Sequence, residues 1–248
     1  MFEFQSQLIF PTHAVPAPAP LPPTAERLQV PSADGPILHG VHIPAPRAGS
    51  STGKLILGFG GNAWNAEDVA IYLREIYPEA DVIVFHYRGY APSAGSPSAE
   101  ALLADAPLIY DAAVARVRPR STIAVGFSIG SGVAASLTTQ RRPDGLILVT
   151  PFDSLEAVAQ GMYPWLPIGP LFRHEIDAAK ALEKSDVPVA IVAAQRDQII
   201  PPARTQALRR RVPRLLFDRV LVGAGHNDIY ARSDFHQAMR EALAAVSK

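Results

Sequence analysis

Two patterns of apolar positions divide the chain. In residues 26–30 and 37–43, apolar and polar side chains alternate around the turn Ser32-Ala33-Asp34-Gly35. Successive side chains of a strand point to opposite faces, so this alternation predicts an antiparallel hairpin. From Lys54 the alternation gives way to near-continuous apolar runs at 54–59, 82–87, 122–125, 145–149, 189–194 and 219–222. Such runs predict strands covered on both faces, as in a parallel sheet. Segments of helical length lie between and after them, near 67–76, 99–117, 130–140, 203–211 and 234–246. A hairpin followed by alternating strands and helices predicts an α/β fold: a mostly parallel eight-stranded sheet with helices on both faces.

Ahead of the hairpin, Pro16, Pro18, Pro20, Pro22 and Pro23 fix backbone angles and remove donors, so residues 1–25 read as an extended proline-rich N-terminal arm on a domain spanning 26–248. A structural arm on the domain surface fits this stretch better than a ligand for a proline-recognition domain. His39 and His42 fall on the second hairpin strand. Residues three apart on a strand face opposite ways, which argues against their holding a metal together.

Composition narrows the function classes. The 23 basic and 23 acidic residues balance to a formal net charge of zero and form no long runs. A nucleic-acid binder is therefore not expected, and uncharged small-molecule or acylated substrates fit better. The chain has no cysteine, which removes disulfides and thiolate metal sites. No apolar run approaches the roughly 18 residues that span a bilayer. The N-terminus lacks the basic flank of a signal peptide, since Arg27 is the first positive side chain, so the expected compartment is cytoplasmic.

Candidate chemistry centres on Gly126-Phe127-Ser128-Ile129-Gly130, which joins a predicted strand to a predicted helix. A serine there sits on a sharp turn that presents its hydroxyl clear of the backbone, and its neighbours must be small. Asp197 follows the run 189–194, and His226 follows the run 219–222, giving the order Ser128, Asp197, His226. Parallel sheets gather reactive groups beyond the carboxyl ends of their strands, where all three fall. Serine becomes a nucleophile when a base takes its proton; neutral His226 suits that task, and Asp197 would orient the imidazole and stabilise its charged form. An oxyanion would need backbone donors: the amide of Ile129 and, from the loop GFGGNAWN, the amide of Asn62. The side chains of Asn62 and Asn65 could equally brace that loop.

The same loop carries a rival reading. Gly58-Phe59-Gly60-Gly61-Asn62-Ala63 satisfies the GxGxxA form of a dinucleotide fingerprint. That site needs an acid at the end of the next strand, where the chain has His86, while Asp81 lies at the strand's beginning. The hydrolytic reading uses more of the chain and calls for no cofactor and no metal.

Four phrases together resemble the α/β-hydrolase-fold serine hydrolases that carry HGNAGN, YRGYGxSxGxPS, GxSxGG and GHND. Here they stand as GGNAWN at 60–65, YRGYAPSAGSPS at 87–98, GFSIGS at 126–131 and GHND at 225–228. The resembling group includes esterases, monoacylglycerol lipase-like enzymes, protein depalmitoylases and peptidase-like members. The resemblance implies a carboxylic ester or thioester hydrolase working through an acyl-enzyme, with amide hydrolysis or a non-catalytic binding protein of the same fold as alternatives. Ser128 itself argues against dehalogenase or epoxide hydrolase chemistry, which in this fold resembles the same design with an aspartate nucleophile.

The chain departs from the group's pattern at Gly60, Trp64, Ala91 and Ser131. Trp64 would wall the substrate pocket, and Arg88 would tether its loop rather than clamp substrate. The resemblance also marks about 151–186 as the segment that sets specificity; its apolar residues interleaved with prolines suit either a short lid over an acyl pocket, with Tyr163 and Trp165 as candidate substrate contacts, or side chains that simply pack on the domain. It favours Asp197 over Asp153 as the acid, because Asp197 precedes the IIPP turn.

Overall fold

The computed structural model describes residues 6, 9–46, 53–162 and 172–247. Eight strands form one sheet in the order β1-β2-β4-β3-β5-β6-β7-β8. β1 (Glu26–Pro31) and β2 (Ile37–Ile43) form the hairpin, and β2 runs antiparallel to β4 (Asp81–Phe85). From β4 onward all neighbours are parallel: β3 (Lys54–Phe59), β5 (Ser121–Phe127), β6 (Gly145–Val149), β7 (Val189–Ala194) and β8 (Leu215–Leu221). The helices are α1 (Ala66–Ile76), α2 (Ala99–Val117), α3 (Ile129–Leu137), α4 (Leu155–Met162), α5 (Ala178–Leu182), α6 (Pro202–Arg209) and α7 (Ser233–Val246) among the described residues. This is the predicted eight-stranded, mostly parallel architecture, and no described helix is long and apolar enough to cross a membrane.

The apolar runs of the central strands feed two cores, one on each face of the sheet. Alternate residues of β3 divide between them: Leu55 and Leu57 on one side, Ile56 on the other. Helices close each face with apolar positions at helical spacing. On α1 these are Val69, Ala70, Leu73 and Ile76; on α7 they are Phe235, Ala238, Met239, Ala242 and Val246. Asn65 caps α1, its Oδ1 accepting from the Glu67 amide at 3.0 Å.

Some element boundaries differ from the expected ones: β5 runs on over buried Gly126 and Phe127, and β4 stops at Phe85, short of buried His86 and Tyr87. β8 begins four residues before its predicted start, because an edge strand is half exposed and its polar positions, Asp218 and Arg219, pair with Arg209 and Glu241 instead of facing a core. α4 and α5 lie in the stretch for which no helix was expected. Of the two hairpin histidines, His42 is buried and its Nε2 lies 2.7 Å from an Asp81 carboxylate oxygen, a structural tie at the start of β4. No cluster of potential metal ligands occurs among the described residues.

The Tyr87–Ser98 loop is anchored from within. Arg88 is buried and forks onto Asp105 of α2, with Asp34 of the hairpin turn 2.6 Å away. It is a tether between three elements, and such a planar fork onto a buried carboxylate holds both partners in one geometry.

His86, just beyond β4, is buried, and desolvation holds its imidazole down to about 4. An unfolded histidine titrates near 6.5, so at neutral pH both states are neutral. As pH falls from about 6.5 to about 4, the unfolded chain takes a proton that the folded one refuses, so stability is lost across that window, by roughly 3 kcal/mol in all. His86→Gln is expected to flatten this acid limb. Urea unfolding at about pH 7 and about pH 4.5 would show it as a smaller pH-dependent loss than in the wild type, by about 2 kcal/mol; equal losses would contradict the assignment.

Candidate active site

β5 carries its apolar run into the sheet's interior and ends at Phe127. The chain then reverses through Ser128, whose φ of 51° and ψ of −118° lie in a region that side-chain-bearing residues rarely occupy. α3 starts at the next residue. The flanking glycines are imposed by packing: a Cβ on Gly126 would stand 2.3 Å from the Gly130 carbonyl oxygen, and one on Gly130 would stand 2.2 Å from the Phe59 carbonyl oxygen. The turn is locked by Ser128 N–H donating to the Val149 carbonyl (3.0 Å) and by Ser131 Oγ donating to the Ser128 carbonyl (2.5 Å). Ser131, where the resembling group has glycine, is thus a fully buried clamp on the turn.

The loops after β7 and β8 bring the other two side chains to it. They are lashed to each other: Arg196 N–H donates to the Ala224 carbonyl (2.8 Å), and Gly223 N–H donates to Gln195 Oε1 (2.9 Å). Asp228 Oδ1 accepts from the Gly225 amide (2.6 Å), which closes the turn presenting His226. Asp197 Oδ1 accepts from the amides of Ile199 (2.9 Å) and Ile200 (2.7 Å), so the carboxylate is fixed before it meets a histidine. Its other oxygen, Oδ2, lies 2.7 Å from His226 Nδ1, and His226 Nε2 lies 3.0 Å from Ser128 Oγ. The Asp197 side chain is 3% exposed. With Nδ1–H donating to the carboxylate, Nε2 is left to accept the Ser128 hydroxyl proton. The structure therefore brings Ser128, His226 and Asp197 into one hydrogen-bonded chain. Asp153 lies apart from it and pairs with Arg204 at 3.4 Å.

The loop after β3 faces the serine, with a Cβ built on Gly61 falling 3.8 Å from Ser128 Cβ. Its two asparagine side chains brace the loop. Asn62 Oδ1 accepts from the Tyr90 hydroxyl (2.6 Å) and Asn62 Nδ2 donates to the Ile9 carbonyl, while Asn65 Nδ2 donates to the Pro16 carbonyl (3.1 Å). Tyr87 adds a bond to the Gly60 carbonyl (2.9 Å). With the side chain of Asn62 committed, what that residue can offer a substrate is its main-chain amide.

Ser128 stands where two cavities meet. One, of about 350 Å³, is lined by Trp64, Asn227 and Tyr230 beside the serine and histidine. Trp64 packs on Phe127 and Tyr230 with ring centroids 5.2 and 5.0 Å apart, so its indole forms a rigid wall there. The other, of about 140 Å³, is apolar and bounded by Phe152, Leu155, Val158 and Met162. Tyr163 and Trp165, within 163–171 of the expected lid, lie outside the described residues. Tyr230 escaped the sequence reading. Its burial and the nearby charge of Asp197 push its hydroxyl up to about 12, so it remains a neutral side chain behind the aspartate–histidine pair. Its position three residues after the GHN phrase was the available signal. Gln195 and Ile9 left no such signal, because their roles depend on loops meeting in space.

No family model matches the chain. An uncharacterised protein of Mycobacterium tuberculosis strain H37Rv, Rv2307c, is 31% identical over 231 residues, which cover 90% of this chain and 81% of that one. Lysophosphatidylserine lipase ABHD12 of Danio rerio is 32% identical over 138 residues, 48% of this chain and 36% of the lipase. Among solved structures, the Pyrococcus furiosus esterase Pf2001 superposes with a TM-score of 0.70 at 16% identity, covering 93% of this chain and 96% of that one.

Proposed function

We propose that this chain, which belongs to the α/β-hydrolase superfamily and to one family with the mycobacterial protein, is a serine hydrolase of carboxylic esters or thioesters. The observation that carries the reading is His226 bridging Ser128 Oγ and Asp197 Oδ2. In the first half-reaction Ser128 Oγ attacks the acyl carbon while His226 Nε2 takes its proton. Asp197, already held by two amides, keeps the Nδ1–H tautomer and stabilises the imidazolium. The carbonyl oxygen, now an oxyanion, is met by the amides of Ile129 and Asn62; a donor of this kind contributes about 3–4 kcal/mol to the transition state. His226 then protonates the departing alcohol or thiol, leaving an acyl group on Ser128. In the second half-reaction His226 Nε2 draws a proton from water as the water oxygen attacks the acyl carbon; the bond from that carbon to Ser128 Oγ then breaks, Oγ takes the proton back from His226, and the acid leaves.

The named activity of the Danio rerio relative, a lysophosphatidylserine lipase, supports an ester substrate with an acyl chain, and the apolar cavity beside Ser128 gives that chain a place. A fluorophosphonate probe tests the reading. The wild type should be labelled and Ser128→Ala, folded to the same melting temperature, should not. A folded wild type that resists the probe would contradict it.

A further inference from the structure

The apolar cavity beside Ser128 has one wall that comes from far away in sequence. Ile9 lines it together with Phe152, Leu155, Val158, Met162 and Ile200. Several contacts hold the N-terminal segment in that position. The Ile9 carbonyl accepts from Asn62 Nδ2, in the same loop whose Gly61 approaches Ser128. Phe10, next in the chain, is 2% exposed and packs edge-on against His174 with centroids 5.2 Å apart. Ser6 Oγ lies 2.9 Å from His174 Nε2. Farther along, Pro16 and Ala19 are pinned to the start of α1 through Asn65 and Asp68. A segment tied at these points, with a buried aromatic anchor beside the lining residue, is a built wall rather than a loose tail.

From this placement, and resting on the serine-hydrolase reading above, we infer that Ile9 is a specificity-determining residue: the N-terminal segment completes the acyl subsite, and the side chain at position 9 limits the acyl group that Ser128 accepts. The cavity is small, about 140 Å³, so the bulk of one wall residue decides whether a long chain enters. A short acyl group reaches the serine without filling the subsite and is indifferent to position 9. The bond that holds the segment uses the Ile9 backbone oxygen, so side-chain changes there leave the tie to Asn62 intact.

The test uses the full chain and alkyl fluorophosphonates bearing either a methyl or an octyl group on phosphorus, with second-order labelling rates measured for wild type, Ile9→Trp and Ile9→Ala. The indole should lower the octyl-to-methyl rate ratio by about tenfold or more, the discrimination a filled apolar pocket gives. Ile9→Ala should leave the ratio unchanged or higher, and all three proteins should melt together. A ratio that Ile9→Trp leaves unchanged, or that both variants lower equally, would overturn the subsite while leaving the hydrolase reading standing. A wild type that neither probe labels would overturn both.

Discussion

Replacing Ser128 with alanine is expected to lower kcat on a carboxylic ester by about 10³-fold or more, and His226→Ala by a similar factor. The two losses should not add. Once the base is gone the hydroxyl is no better than a free alcohol, and once the hydroxyl is gone the base has nothing to activate, so the double variant should be about as slow as either single one. Residual turnover in all three would come from the oxyanion donors and substrate binding, which these changes leave in place. Steady-state kinetics on one p-nitrophenyl ester, with melting temperatures matched, checks this. Multiplicative losses would mean that the 3.0 Å contact between His226 Nε2 and Ser128 Oγ is not the one used in the reaction.

The second large effect is on the turn itself. Gly130→Ala places a Cβ 2.2 Å from the Phe59 carbonyl oxygen and 2.5 Å from that of Gly60. Both obstacles are backbone at the end of β3, so neither can swing aside as a side chain would. Relief requires α3 to move away from β3, which separates the serine from the loop carrying Asn62. Overpacking of this kind costs roughly 3 kcal/mol. For a chain of this size that is a fall in Tm of about 6–12 °C. Thermal unfolding checks the stability, and fluorophosphonate labelling of the folded fraction checks the geometry. Labelling should drop further than the unfolded fraction explains, because the nucleophile and its donors are displaced from one another. A variant with unchanged Tm and wild-type labelling would contradict the packing.

How much of this was legible in the chain follows from what each feature depends on. The runs at 54–59, 145–149 and 189–194 matched their strands residue for residue, because a strand buried on both faces writes its whole length in apolar residues. The hairpin was legible from alternation around one turn. β8 was half missed, since an exposed edge strand tolerates Asp218 and Arg219 and so loses its pattern. α4 and α5 were missed because they are short and sit beside a proline-rich stretch, where helical periodicity has no length in which to repeat. That Ser128, Asp197 and His226 would come together could be read from their places at strand ends, which is a property of order along the chain.

Their surroundings could not be read in the same way. Whether Asn62 and Asn65 brace the loop or face a ligand depended on Tyr90, Ile9 and Pro16 arriving beside them. Tyr230 behind Asp197, Gln195 joining two loops and Ile9 at the apolar cavity are likewise tertiary facts. A sequence shows the residue types there; only the fold shows what each one meets.

Turnover by the proposed route passes through a covalent acyl-enzyme on Ser128. Acid-quenching the wild type during turnover of a p-nitrophenyl ester, followed by mass spectrometry of its peptides, tests this directly. The expected result is the mass of one acyl group on the peptide containing Ser128, absent from Ser128→Ala. Turnover without any such adduct, or an adduct on another residue, would contradict it.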